Sequence, residues 1–95
     1  MEIKTIITTA TSIIRKYVPP QSVMVLFGSQ ATGMTYDGSD IDIGIMGDTA
    51  VPFETMTKIL DDIEDVPTLR KIDVVDLRAV STSLREHILS YAKRI

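Results

Sequence analysis

Two aspartates that alternate with isoleucines are the first residues whose type and spacing suggest chemistry. Asp40 and Asp42 open the run Asp-Ile-Asp-Ile-Gly-Ile over residues 40–45, and this strict alternation predicts a strand with one buried face. Side chains two apart in a strand share a face, with Cα atoms about 6.5–7 Å apart, so both carboxylates can converge on one hard cation such as Mg²⁺. An amphipathic strand that turns its acids to solvent has the same pattern, and an isolated Asp-x-Asp does not decide between the two.

A glycine–serine pair follows the preceding apolar run. Gly28-Ser29 comes directly after residues 23–27, Val-Met-Val-Leu-Phe, which are typical of a short strand buried on both faces. Glycine at such a corner lets the backbone approach a phosphate closely, and the serine hydroxyl and the amides that follow can donate to its oxygens. An ordinary strand-to-helix turn with Ser29 as N-cap is the alternative interpretation.

Other segments must position these two motifs. Apolar residues recur at three- and four-residue spacing over residues 3–17, which predicts a first helix that ends before Pro19-Pro20. The remaining predicted elements are a helical turn and loop over residues 29–38, a helix that starts near Pro52 and is closed by Pro67, a strand over residues 71–77, and a last helix with a capping box at Ser83 that continues to Ile95.

The order helix, strand, short helix, strand, helix, strand, helix predicts the fold class. It is typical of an α/β (α+β) protein with a small mixed β-sheet packed with helices. The length of 95 residues, with 44% hydrophobic and 24% charged residues, predicts a single domain over residues 1–95.

Composition also limits the function. Without cysteine the chain has no disulfide, thiolate metal site or cysteine nucleophile. A formal net charge of −3 argues against duplex nucleic acid as a partner. No apolar run is long enough for a membrane span, and the first residues lack the layout of a secretory signal, so we expect a cytoplasmic protein that does not bind membranes.

The two motifs together form a specific pattern. Gly28-Ser29, ten residues, then Asp40-Ile41-Asp42 would arise by chance in a chain of this length with a probability on the order of 10⁻³. The pattern resembles the Gly-Ser-x10-Asp-x-Asp signature of the DNA polymerase β-like nucleotidyltransferase superfamily. Within it, residues 28–33 and 39–43 are most similar to the minimal nucleotidyltransferases (MNT), the antitoxin halves of HEPN/MNT toxin–antitoxin pairs. The resemblance extends from the first strand through Leu77.

This resemblance implies a set of site residues. Asp40 and Asp42, with a third acid on a neighbouring strand, would be catalytic and would hold two Mg²⁺ ions. Asp73 falls at the family's position for the third acid, whereas Asp76, three residues further and on the opposite strand face, reads as a strand-end residue. The nucleotide would be bound by Gly28, Ser29 and Ser39.

The family's activity implies the substrates and the partner. ATP would donate AMP to a tyrosine hydroxyl of a HEPN-type toxin, and homo- or hetero-oligomers are both open. Relatives commonly carry an arginine where this chain has Thr32, so a cationic contact to the triphosphate is missing or comes from elsewhere, with Lys71 and Arg70 as candidates. Two alternatives remain: a non-catalytic antitoxin that neutralises its partner by occlusion, and a nucleotidyltransferase for a small molecule such as an aminoglycoside-type drug.

Overall fold

One mixed β-sheet with helices on both faces organises the chain. The computed structural model describes residues 2–33 and 38–95. In these residues the helices are α1 (Ile3–Arg15), α2 (Ser29–Thr32), α3 (Phe53–Glu64) and α4 (Thr82–Tyr91), and the strands are β1 (Val23–Phe27), β2 (Ile41–Met46), β3 (Ile72–Asp76) and β4 (Lys93–Arg94).

The sheet places the beginnings of β2 and β3 beside the end of β1. Its strand order is β3-β2-β1-β4. β1 is antiparallel to both β2 and β4, whereas β3 is parallel to β2. The predicted α/β (α+β) fold with a small mixed sheet packed with helices is therefore confirmed.

Alternation along β2 separates two apolar layers. The three isoleucines of β2 are fully buried and pack with α1 and α3. Gly44, which lies between two of them, faces Leu77 instead, and Leu77 belongs to a smaller cluster with Ile88 of α4. Asp42, two residues before Gly44, lies on this second face because strand side chains alternate. Asp42 thus lies on the face that α4 covers.

The last helix begins earlier than the sequence predicted. Ser81, and not Ser83, is the N-cap, and its hydroxyl oxygen accepts a hydrogen bond from the Leu84 amide at 3.2 Å. The predicted capping box at Ser83 is therefore wrong. Ser81 caps the helix because its backbone is extended, with φ −61° and ψ 153°, which is the conformation that an N-cap residue adopts.

The same helix also ends earlier. After Tyr91, Ala92 is extended with ψ 152°, and the next two residues form β4 beside Val25 and Leu26 of β1. The prediction that the helix continues to Ile95 is therefore wrong. Pairing with the edge of β1 gives these last residues backbone hydrogen bonds that a frayed helix end lacks.

The other predicted elements agree with the structure to within three residues. β1 has the predicted bounds, β2 is shifted by one residue, and β3 lies inside the predicted strand. The turn predicted after Gly28 is α2, and the loop predicted to follow it falls partly on residues 34–37, which lie outside the described residues. Among the helices of the described residues, none is long and apolar enough to cross a membrane.

Candidate active site

Two of the predicted acids lie side by side on neighbouring strands. β2 and β3 pair in the register Asp42 to Asp73. Paired residues of neighbouring strands, about 4.8 Å apart, turn their side chains to the same face. Asp40 lies just before β2 and is exposed. The structure therefore brings Asp42 and Asp73 together and leaves Asp40 at the rim of the site.

The charge of Asp42 is unfavourable in this position. Burial raises the pKa of the Asp42 carboxyl above its ordinary value, and the like charges of Asp73 and Asp40 and a hydrogen bond with Asp73 raise it further. Lys71 opposes the shift, and its Nζ lies 3.7 Å from Oδ1 of Asp73. A divalent cation would relieve the repulsion between these carboxylates.

The donor set has the chemistry that Mg²⁺ prefers. Mg²⁺ commonly uses one or two carboxylates together with substrate phosphates and water, and Asp42 and Asp73 offer such a pair. In the chain outside residues 1 and 34–37, no three His, Cys, Asp or Glu side chains are grouped closely enough to hold an ion. The residues thus fit a site of two adjacent carboxylates, and ligation by Asp40 stays a prediction.

Gly28 brings the end of β1 directly against Asp42. Its φ is 68°, in the left-handed region, and a Cβ at this position would collide with the Asp42 carboxylate. The Gly28 carbonyl accepts hydrogen bonds from the amides of Ala31 and Thr32 at 3.1 and 3.3 Å, so the chain turns at once into α2 with Ser29 as its first residue. The predicted Gly28-Ser29 corner therefore lies beside the acids.

Ser39 lies inside the turn that carries Asp40. It is 1% exposed, and its carbonyl oxygen accepts a hydrogen bond from Nη1 of Arg70 at 3.0 Å. This bond ties the beginning of β2 to the residues before β3. Because Ser39 is buried, we expect it to stabilise the turn that carries Asp40. Direct contact of Ser39 with a nucleotide stays a prediction. Because Arg70 is engaged here, Lys71 is the basic candidate that lies next to the acids.

Tyr91 is a site neighbour that the sequence did not single out. The amide of Gly28 donates a hydrogen bond to the Tyr91 hydroxyl oxygen at 3.2 Å, across 63 positions of the chain. In the sequence Tyr91 is only one apolar position of the last helix. No local signal connects it with Gly28, because their contact depends on how α4 crosses the sheet.

Asp76 accepts hydrogen bonds from backbone amides at the opposite end of β3. It is 7% exposed, its Oδ2 accepts from the amide of Val51 at 2.7 Å, and its Oδ1 accepts from the amide of Arg78 at 2.9 Å. These bonds agree with the interpretation of Asp76 as a strand-end capping residue. They place it outside the cluster of Asp42 and Asp73.

Replacing Asp76 by Asn should lower stability without changing the chemistry of the site. Asn keeps one acceptor oxygen and turns an NH₂ group toward the other backbone donor, so one charge-assisted hydrogen bond is lost at a cost of about 1.5–3 kcal/mol. Urea denaturation measures this loss. The matched variant Asp73→Asn, at the other end of the same strand, should cost far less stability; equal losses would contradict the role assigned to Asp76.

The raised pKa of Asp42 predicts a pH dependence of stability in the metal-free protein. Because the folded-state pKa lies above the ordinary value of 3.8, the folded state binds this proton more tightly than the unfolded state. The resulting stabilisation is fully present below 3.8 and is lost as pH rises through the folded-state pKa. Denaturation of the wild type and of Asp42→Asn over this range should show the wild type losing stability relative to the variant as pH rises. A constant difference would contradict the shift.

Solved structures of nucleotidyltransferases share this fold. A chain described as a minimal nucleotidyltransferase matches with a TM-score of 0.73 and 21% identity, over 100% of this chain and 97% of that chain. A toxin–antitoxin structure with AMP-PNP matches with a TM-score of 0.64 and 25% identity, over 98% and 72% of the two chains. A structure of the tri-AMPylated Shewanella oneidensis HEPN toxin with its MNT antitoxin matches with a TM-score of 0.70 and 22% identity, over 96% and 69%.

Sequence comparison places the chain in a family. The family model described as polymerase beta, nucleotidyltransferase, matches residues 8–95. The protein adenylyltransferase MntA of Shewanella oneidensis is 28% identical over 87 residues, which cover 87% of this chain. The chain spans 59% of the length of that relative. This chain belongs to the polymerase beta nucleotidyltransferase family, and it is similar in sequence to the protein adenylyltransferase MntA.

Proposed function

We propose that this chain transfers AMP from ATP to a hydroxyl group of a partner HEPN toxin, and that it acts in the cytoplasm as the antitoxin of that partner. The observation that carries the chemistry is the pairing of Asp42 with Asp73 directly beside Gly28. AMP and a protein acceptor are supported by the similarity to MntA, named a protein adenylyltransferase, and to the antitoxin complexes with AMP-PNP and with an AMPylated HEPN toxin.

In this proposal Asp40, Asp42 and Asp73 are the catalytic and metal-binding residues. Two Mg²⁺ ions, when bound, would supply charge neutralisation on the triphosphate and a lowered pKa of the acceptor hydroxyl. Asp42 and Asp73 hold adjacent carboxylates on rigid strands, and Asp40 adds its charge from the turn before β2. Carboxylates fixed in this way are preorganised to hold the cations that would neutralise the negative charge developing during phosphoryl transfer.

The corner at the end of β1 orients the nucleotide in the same proposal. Gly28 has no side chain, and the place that a Cβ would take is filled by the Asp42 carboxylate, so the corner lies directly beside the acids that would hold the cations bound to the phosphates. Ser29 donates its hydroxyl hydrogen to a phosphate oxygen, and Ser39 supports the site by holding the turn of Asp40. Lys71, next to Asp73, provides the positive charge that Thr32 does not. Positioning of the α-phosphate for in-line attack is the contribution expected from these groups.

The test uses the chain together with the product of the adjacent gene, which this proposal expects to be a HEPN protein. The two proteins are incubated with Mg²⁺ and ATP labelled at the α-phosphate, and we expect label on the HEPN protein together with loss of its ribonuclease activity. If the ribonuclease is inhibited but no nucleoside triphosphate labels it, the occlusion alternative is correct and the catalytic proposal is wrong. Label that transfers to an aminoglycoside and not to the HEPN protein would favour the small-molecule alternative.

A further inference from the structure

The hydroxyl of Tyr91 lies at the corner proposed to receive the nucleotide phosphates. Tyr91 is the half-buried last residue of α4, and its oxygen accepts the Gly28 N–H at 3.2 Å. Among the residues that the structure describes, none accepts the hydrogen of this hydroxyl in return. The hydroxyl oxygen therefore accepts one hydrogen bond from the backbone, and the hydroxyl hydrogen is available to donate another.

Tyr91 and the acids share one face of the sheet. α4 packs through Ile88 on Val25 and Leu77, which is the face that Asp42 occupies. Gly28 lies between the two groups: its N–H is directed at Tyr91, and its side-chain position is directed at the Asp42 carboxylate. A phosphate held at this corner would thus lie near both the carboxylates and the hydroxyl.

The tyrosine ring is held in place by the elements around it. Its centroid lies 5.5 Å from that of His87, with the rings at 61°. Directly after it, the chain is fastened to β1, where the pairing of β4 and the bond from the Ile95 amide to the Met24 carbonyl at 3.0 Å fix the end of α4. A side chain that is already confined loses little conformational entropy when its hydroxyl binds a ligand.

We propose that Tyr91 is a positioning residue for the triphosphate of the nucleotide. Its hydroxyl holds the Gly28 amide, which fixes the direction of the Gly28-Ser29 corner, and it donates its own hydrogen to a phosphate oxygen. This inference rests on the proposed function, because it takes the ligand of the corner to be the triphosphate of a nucleotide. Tyr91 contributes to binding the nucleotide and takes no part in activating the acceptor hydroxyl.

The variant Tyr91→Phe tests this role, because it removes the hydroxyl and keeps the ring. KM for ATP should rise roughly 3- to 10-fold, the range that one lost hydrogen bond produces, whereas kcat should change less than about twofold. Tyr17→Phe is the matched control: its hydroxyl donates to Asp62 of α3, away from the site. That variant should lose stability and keep the KM of the wild type.

Two measurements on the protein without its partner separate the possible outcomes. Amide hydrogen exchange at Gly28 should become faster in Tyr91→Phe and stay unchanged in Tyr17→Phe. The affinity for AMP-PNP with Mg²⁺ should fall roughly 3- to 10-fold in Tyr91→Phe, as expected for one lost hydrogen bond, and should not change in Tyr17→Phe. If Tyr91→Phe binds AMP-PNP as tightly as the wild type, the inference alone is overturned, whatever the exchange rate. If the wild type does not bind AMP-PNP, the proposed function fails and this inference fails with it.

Discussion

Asp42→Asn should abolish nucleotidyl transfer and leave the protein folded. Asp42 is the central acid of the site. It pairs with Asp73, interacts electrostatically with Asp40 and lies against Gly28. An amide keeps the shape of the carboxylate but cannot supply an anionic oxygen to a cation. Loss of several kcal/mol of transition-state stabilisation corresponds to a fall in kcat/KM of about 10³-fold or more. Transfer of label from ATP to the HEPN protein measures it.

Retained stability is the second half of this expectation. The raised pKa of Asp42 shows that its charge is unfavourable in the folded state without metal, so the neutral variant should be at least as stable as the wild type at neutral pH. Asp48→Asn is the matched control, since Asp48 is an exposed acid just beyond the other end of β2. It should keep full activity. Comparable activity in both variants would refute the assignment of Asp42.

Gly28→Ala should damage both stability and activity. The φ of 68° with ψ of −153° belongs to a region that essentially only glycine occupies, and the added Cβ would collide with the Asp42 carboxylate. Backbone strain and overpacking together predict a loss of about 2–5 kcal/mol in the free energy of unfolding. Because Asp42 must move, the remaining folded protein should transfer label at least about 10²-fold more slowly.

Gly33→Ala separates the effect of backbone strain from the effect of the collision with Asp42. Gly33 also has a positive φ, 78°, but a Cβ there would have no atom of the other described residues within 4 Å. This variant should lose only the roughly 1–2 kcal/mol of the left-handed conformation and should keep its activity. The difference between the two variants then measures the contact between Gly28 and Asp42. If they lose equal stability and activity, Gly28 has no special relation to the acid.

Local patterns in the sequence predicted the elements that carry the site. The continuous apolar run predicted β1, and the alternation of acids with isoleucines predicted both the existence of β2 and the face on which Asp42 lies. These predictions succeed because strand periodicity is a property of a few consecutive residues, and burial of the isoleucines permits only one face for the acids. The spacing from Gly28 to Asp42 identified the family before any contact was known.

The ends of the last helix show where local patterns were insufficient. Lys93 and Arg94 have no strand signal of their own, and they form β4 because an edge of β1 is available to them. Ser81 and Ser83 are equally good capping types, and the backbone conformation of the preceding turn selects Ser81. Both outcomes depend on where the chain arrives in the fold, which residue types alone do not specify.

Residue types and spacing therefore predicted the family, the glycine–serine corner, the strand that carries Asp42 and the candidate third acid, Asp73. Contacts between distant segments were needed to show that Asp42 and Asp73 are in register, that Asp40 lies just before β2, and that Tyr91 reaches the corner. The physical reason is that strand register and helix crossing are set by packing between segments distant in the chain. A pattern of neighbouring residues reports the periodicity of one element and not the position of its partner.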